Sequence, residues 1–144
     1  MTRLLPILAS LLLLACCFTA CTRTPDVTIV NAEIRTEFRQ RDGAAGQWDH
    51  DRRTIYLSAM LAKWTFAHEC AHAADSLGLP YAQVVAMTGT LPPHLAYQQD
   101  LARRVARDAA KIGGPHAHWI ALGRICGPQA VGHAEILNHV RRHL

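Results

Sequence analysis

Hydrophobic positions divide the chain into three kinds of stretch. Leu4 to Ala15 is a nearly continuous apolar run with one basic residue, Arg3, before it. Val27 to Val30 is β-branched and strand-like, with extended character continuing toward Ile34 before the polar stretch Arg35 to Gly46. Gln47 to Ser58 reads as a hairpin: the Asp49 to Arg52 cluster supplies the turn, and Thr54 to Ser58 alternates as a half-buried strand does. From Ala59 the period becomes helical and runs to about Leu77, where Gly78 serves as C-cap and Pro80 forbids continuation.

Leu79 to Pro93 is a loop with a short helical turn at Ala82 to Met87, and Leu95 to Ile112 is an amphipathic helix stopped by Gly113-Gly114-Pro115. Trp119 to Ile125 forms a short helix closed by Gly127, and Pro128 suits the first turn of a last helix that runs to the C-terminus. The expected fold is α+β: a two- or three-stranded antiparallel sheet packed on the helix of residues 59–77, with two or three further helices.

The apolar run with its leading arginine has the layout of a secretory signal and is too short to span a bilayer comfortably. Leu13-Leu14-Ala15-Cys16 resembles the bacterial lipobox, in which the peptide is cut before a cysteine that then receives lipid; Phe18-Thr19-Ala20-Cys21 is a poorer match. The expected organisation is a signal peptide at 1–15, a lipidated N-terminus and tether at 16–26, and one domain at 27–144. Cys17 rather than Asp after the anchor favours the outer membrane, facing the periplasm, by resemblance to bacterial lipoproteins. Four cysteines remain in an oxidising compartment, and Cys70 with Cys126 is a candidate disulfide; Cys70 as a small buried hydrophobe is the alternative.

Formal net charge is +4, but the basic residues form no block. Arg103, Arg104, Arg107 and Lys111 are interleaved with Asp100 and Asp108 at helical spacing, the pattern of a solvated helix face. With no nucleic-acid motif present, the expected partners are a peptide or protein substrate and a membrane reached through the N-terminal lipid.

The chemistry is concentrated in WTFAHECAHAAD, Trp64 to Asp75, where His68, Glu69 and His72 form H-E-x-x-H. Residues four apart share a helix face, so His68 and His72 can offer two imidazoles to one zinc ion. Glu69, offset around the helix, can act on a metal-held water without becoming a ligand. Asp75 shares the histidines' face, either as a carboxylate that orients an imidazole or as an ordinary polar residue of the last turn. Extended patterns place a further ligand soon after the motif, but those positions hold Asp75 and Gly78. Glu135, the only glutamate after the motif, lies in an apolar context and is the candidate third metal ligand. His139, one turn later, either supports a ligand or replaces Glu135.

These residues resemble the gluzincin branch of the zincin metallopeptidases, and most nearly the catalytic domain of anthrax lethal factor. Its motif helix also carries Asp three residues past the second His, and its later ligand sits in an Ala-Glu pair similar to Ala134-Glu135. Thr54 to Ser58 resembles the edge strand above a zincin cleft, which binds substrate backbone by strand addition. The resemblance covers Arg53 to Asp75 and Gly132 to Val140, and it implies one Zn2+, held by His68, His72 and Glu135, with Glu69 as general base. In lethal factor's group a tyrosine seven residues before the glutamate stabilises the oxyanion; here that position is Pro128, which leaves His116, His118 and His133 as candidate substitutes. The implied function is a lipid-anchored zinc metallopeptidase of the cell envelope; the alternative is a metal-binding or protein-binding lipoprotein that keeps the scaffold without turnover.

Acylation at Cys16 predicts that Cys16→Ser abolishes incorporation of labelled fatty acid in a bacterial host while Cys21→Ser leaves it intact. The reverse pattern assigns the lipid to Cys21.

Overall fold

The computed structural model describes residues 33–39, 41–59 and 61–143, so the signal-like segment, Cys16, Cys17, Cys21 and the Val27 to Val30 stretch lie outside the described residues. Among the described residues three strands, β1 (Arg35–Glu37), β2 (Gly46–Asp49) and β3 (Thr54–Leu57), precede five helices. These are α1 (Thr65–Leu77), α2 (Tyr81–Met87), α3 (Ala96–Ile112), α4 (Ala117–Cys126) and α5 (Ala134–His143), with short 3-10 turns at Pro93–Leu95 and Pro128–Ala130. The domain is α+β as expected, although four helices rather than two or three accompany the motif helix α1.

The hairpin forms where the sequence places it. β2 and β3 pair antiparallel with Trp48 opposite Ile55, and the Arg52 N–H donates to Asp49 Oδ1 at 3.0 Å in the turn. Two expectations about the sheet fail. The polar Arg35 to Gly46 stretch holds a strand, β1, and it pairs parallel to β3, with Thr36 opposite Ile55. The chain runs from β1 past the β3 position to form β2 and then returns between them, so the order is β1-β3-β2 and the outer strands run opposite to one another. Thr54–Leu57 is therefore the central strand, and β2 is the edge strand beside α1.

Every residue of β3 is buried because both faces are covered. Ile55 and Leu57 join the helical core, while Tyr56 lies beneath the guanidinium groups of Arg39 and Arg41, 4.9 and 5.0 Å from its ring centre. Cation–π contact and the aliphatic stems of the arginines close that face without a second helical layer.

Helix α1 begins at Thr65, six residues later than Ala59. The ladder continues to Ser58, whose N–H donates to Ala45 O at 2.9 Å, so the chain must still turn before it can coil. Fully buried Gln98 of α3 organises that turn: its amide donates to Ala62 O at 2.7 Å, and its Oε1 accepts from the Phe66 N–H at 3.3 Å. It thereby satisfies one of the unpaired N–H groups of the first helical turn, for which Trp64 provides no side-chain cap. At the other end Gly78 takes φ +64, and its N–H closes the helix on Asp75 O.

Small residues Ala67, Ala71, Ala73 and Ala74 let α1 sit in the middle of the domain, against β2, β3 and helices α2, α3 and α4. The buried face of α3 is Gln98, Gln99, Ala102, Val105 and Ala109; Arg103, Arg104, Arg107 and Lys111 are exposed, as their spacing predicts. Asp100 pairs with Arg103 at 3.0 Å, three residues on, rather than with Arg104. Cys70 is buried and Cys126 half-buried, and both are free thiols in this structure, which does not form the candidate disulfide. Cys70 occupies the core face of α1 as the small hydrophobe of the alternative reading. Among the described residues no helix is long and apolar enough to cross a membrane.

Gln98→Leu leaves the Phe66 N–H and Ala62 carbonyl unpaired beside the motif helix and should lower unfolding stability by about 1–3 kcal/mol. Urea titration followed by circular dichroism measures it; an unchanged midpoint would mean that water replaces the glutamine.

Candidate active site

His68 and His72 leave α1 on one face, as four-residue spacing requires, and their Nε2 atoms are 3.0 Å apart. His68 is fixed from behind: its Nδ1 lies 2.6 Å from Ala130 O. A carbonyl only accepts, so Nδ1 carries the hydrogen and the Nε2 lone pair faces His72. This is the backbone partner that orients histidine ligands in metal sites. Gly132 closes the same contact, since a Cβ there would stand 3.1 Å from His68 Cε1.

The last helix does not begin at Pro128. A 3-10 turn covers Pro128–Ala130, Gly132 takes φ +82, and α5 starts at Ala134. The left-handed Gly132 breaks the helix and swings His133 toward the motif, with its Nε2 3.3 Å from His72 Nε2. Glu135 is exposed on the first turn of α5, and no hydrogen bond or ion pair joins it to either motif histidine. It lines a hollow beside the site together with His72, His133 and Trp119. His139 is directed elsewhere, packing against His116 and His143 with ring centres 5.3 and 4.6 Å away.

Glu69 is 6% exposed and lies under β2. The passage is so close that a Cβ on Gly46 would meet Glu69 Oε1 at 2.9 Å and Thr65 Cγ2 at 2.5 Å. The Trp48 backbone N–H donates to the carboxylate, yet burial dominates and pushes the Glu69 pKa up to about 7. Burial also lowers both imidazoles: His72 falls to about 4, helped by repulsion from His68 and His133 and opposed by Asp75, and His68 moves down, opposed by the bond to Ala130 and helped by His133. At neutral pH the cleft therefore presents neutral imidazole nitrogens beside a carboxyl group poised to give or take a proton.

Asp75 acts on neither motif imidazole by direct contact. Its Oδ2 accepts from Trp119 Nε1–H at 2.8 Å, and the fully buried indole stands edge-on to both rings, 5.2 Å from each centre. Asp75 thus positions the histidines through Trp119. His118 belongs to this support and not to the reacting face: its Nε2 is 2.8 Å from Asp75 Oδ1, off the ideal hydrogen-bond axis, and its ring stacks on Tyr81. Sequence reasoning missed Trp119 and Gly46. A glycine inside a strand pattern does signal close approach, whereas nothing in the sequence near Trp119 points to its role.

The cleft holds about 680 Å3 between β2, the motif face of α1 and the Gly132-His133 turn. No tyrosine is among its lining residues: Tyr81 is buried with its hydroxyl donating to Ala67 O at 2.9 Å, and Pro128 is exposed outside the cleft. Among the described residues no group of three or more His, Cys, Asp or Glu side chains is arranged so that it could hold a metal ion as it stands. The donor types are those a divalent cation takes, and His72 Nε2 faces the nitrogens of both His68 and His133, although the His68 and His133 ring centres stand 6.4 Å apart. No family model, curated protein or solved structure matches the chain.

The raised Glu69 pKa sets the sign of a pH effect on the metal-free protein. Between pH 4.5, its ordinary value, and about 7, the folded state holds a proton that the unfolded state releases, so this group's contribution to stability falls as pH rises. His72 acts oppositely between about 4 and 6.5. Glu69→Gln removes the first effect alone. Its stability relative to wild type should therefore climb across that window by on the order of 1–3 kcal/mol and level off above it. Urea midpoints in chelator at a series of pH values measure the difference; a pH-independent difference would remove the buried-carboxyl assignment.

Proposed function

We propose that the chain is a zinc-dependent metallopeptidase that hydrolyses peptide bonds, anchored to the bacterial cell envelope, at the outer membrane facing the periplasm, through a lipidated Cys16. The observation that carries the reading is the approach of His68 and His72 Nε2 to 3.0 Å beside the buried carboxyl of Glu69, within one open cleft. His68 and His72 would hold the zinc; when bound, it would supply a Lewis acid and make a water available as hydroxide near neutral pH.

Glu69 is general base and then acid. It accepts the proton of the attacking water and returns it to the leaving amine, a task suited to a carboxyl group whose pKa lies near 7. Burial beneath Gly46 keeps bulk water from competing for that proton. Edge strand β2, rather than Thr54–Leu57, offers backbone to an extended substrate and lays it along the wall opposite His133. Trp119 and Asp75 hold the imidazoles against this load.

A metal-binding protein without turnover is favoured by one observation, that no tyrosine lines the cleft to stabilise an oxyanion. The two readings separate on Glu69. With the full chain, one equivalent of zinc and a mixed peptide library read by mass spectrometry, Glu69→Gln should retain zinc and lose cleavage by about 100-fold or more. Zinc binding by both proteins with no cleavage by either would leave the binding role; equal cleavage by both would remove Glu69 as the base.

A further inference from the structure

We infer that His133, not Glu135, is the third protein ligand of the metal, so that the site is built from three imidazoles. This rests on the metallopeptidase reading only in requiring a metal at His68 and His72.

Three observations carry it. First, His72 Nε2 faces two nitrogens at once, His68 Nε2 at 3.0 Å and His133 Nε2 at 3.3 Å. Because His68 spends its only hydrogen on Ala130 O, its Nε2 can only accept. A single hydrogen on His72 would have to serve both neighbours, and a lone pair there would face the lone pair of His68. A divalent cation would take a lone pair from each nitrogen once His133 moves toward His68, whose ring centre is 6.4 Å away; as they stand the three side chains do not form a group that could hold an ion. Two nitrogens bound to one tetrahedral zinc at the usual bond length stand ~3.3 Å apart, close to both separations.

Second, the cleft that holds His68, Glu69 and His72 is lined by His133 and not by Glu135, which lines the neighbouring hollow. Third, a single loop performs both tasks. Gly127 and Gly132, at φ +91 and +82, bracket a turn whose buried Ala130 presents the carbonyl that fixes His68, and whose next residue after Gly132 is His133. His133 is the exposed member of the trio, with its ring nearly parallel to that of His68 at 22° and 6.4 Å between centres. It is also the member with room to adjust on binding.

The test uses the full chain in four forms, wild type, His133→Ala, Glu135→Gln and His72→Ala, each checked for folding by circular dichroism. Zinc affinity is read by competition with a chromogenic chelator, and imidazole ligands are counted by X-ray absorption on wild type. Expected are one zinc in wild type, three imidazoles, unchanged affinity in Glu135→Gln, and a loss in His133→Ala exceeding the ~10–100-fold typical of losing an outer-shell partner. Two imidazoles, or a loss in Glu135→Gln as large as in His133→Ala, overturns His133 as third ligand while leaving the metal site standing. Absence of zinc from wild type, or full affinity in His72→Ala, overturns the inference and the metallopeptidase reading together.

Discussion

The near-contact of β2 with α1 at Gly46 governs the arrangement of the rest. A side chain on Gly46 would occupy the space of the Glu69 carboxylate and the Thr65 methyl group, so strand and helix can be this close only because residue 46 has none. The closeness buries Glu69, and burial raises its pKa into the neutral range. Desolvating a carboxyl group destabilises its charged form by several kcal/mol unless something compensates. The single Trp48 backbone N–H compensates only in part, which leaves a poised acid rather than a permanently ionised one.

Around this contact the fold supplies rigidity from the side away from solvent. Helix α1 is packed by strands and by three helices, and its alanines keep those neighbours near. Helix α3 fixes the start of α1 through Gln98, and α4 fixes its histidine face through Trp119. The Asp75 carboxylate is spent on the indole, so the aromatic wedge behind His68 and His72 is itself tied to the helix that bears them. Precise imidazole placement thus comes from packing and one buried donor, which is how a site on a helix gains accuracy that a loop does not provide.

How far the sequence revealed this depended on whether the signal was local. The motif helix, its glycine stop, the Asp49 to Arg52 turn and the solvated face of α3 follow from periodicity and turn chemistry within a few residues, and the structure has them. The late start of α1 and the parallel partner β1 do not follow, because they depend on Gln98, thirty-two residues beyond Phe66, and on which strand occupies the centre of the sheet. The identity of the edge strand failed for the same reason: alternation shows that Thr54 to Ser58 is a strand, but its neighbours depend on where the chain has already been. Within the cleft, His68, Glu69 and His72 were legible because helix geometry brings them together unaided. Residue 133 approaches from sixty-one positions beyond His72, through a turn in which Gly127 reads from sequence as a helix stop but Gly132 falls inside the expected last helix.

That turn decides which residue of the last segment comes nearest the motif histidines. Had the last helix begun at Pro128, residues 133 and 135 would both be helical, and no left-handed Gly132 would lie against the His68 ring. Instead the helix stops, the backbone at Ala130 accepts the His68 hydrogen, and the chain re-forms a helix only after His133 has reached His72. An imidazole suits that position better than a carboxylate on electrostatic grounds while the site is empty of cations. Burial holds His68 and His72 below the ordinary imidazole range, whereas an anion at the same place would favour their protonation and block the lone pairs that a metal would need.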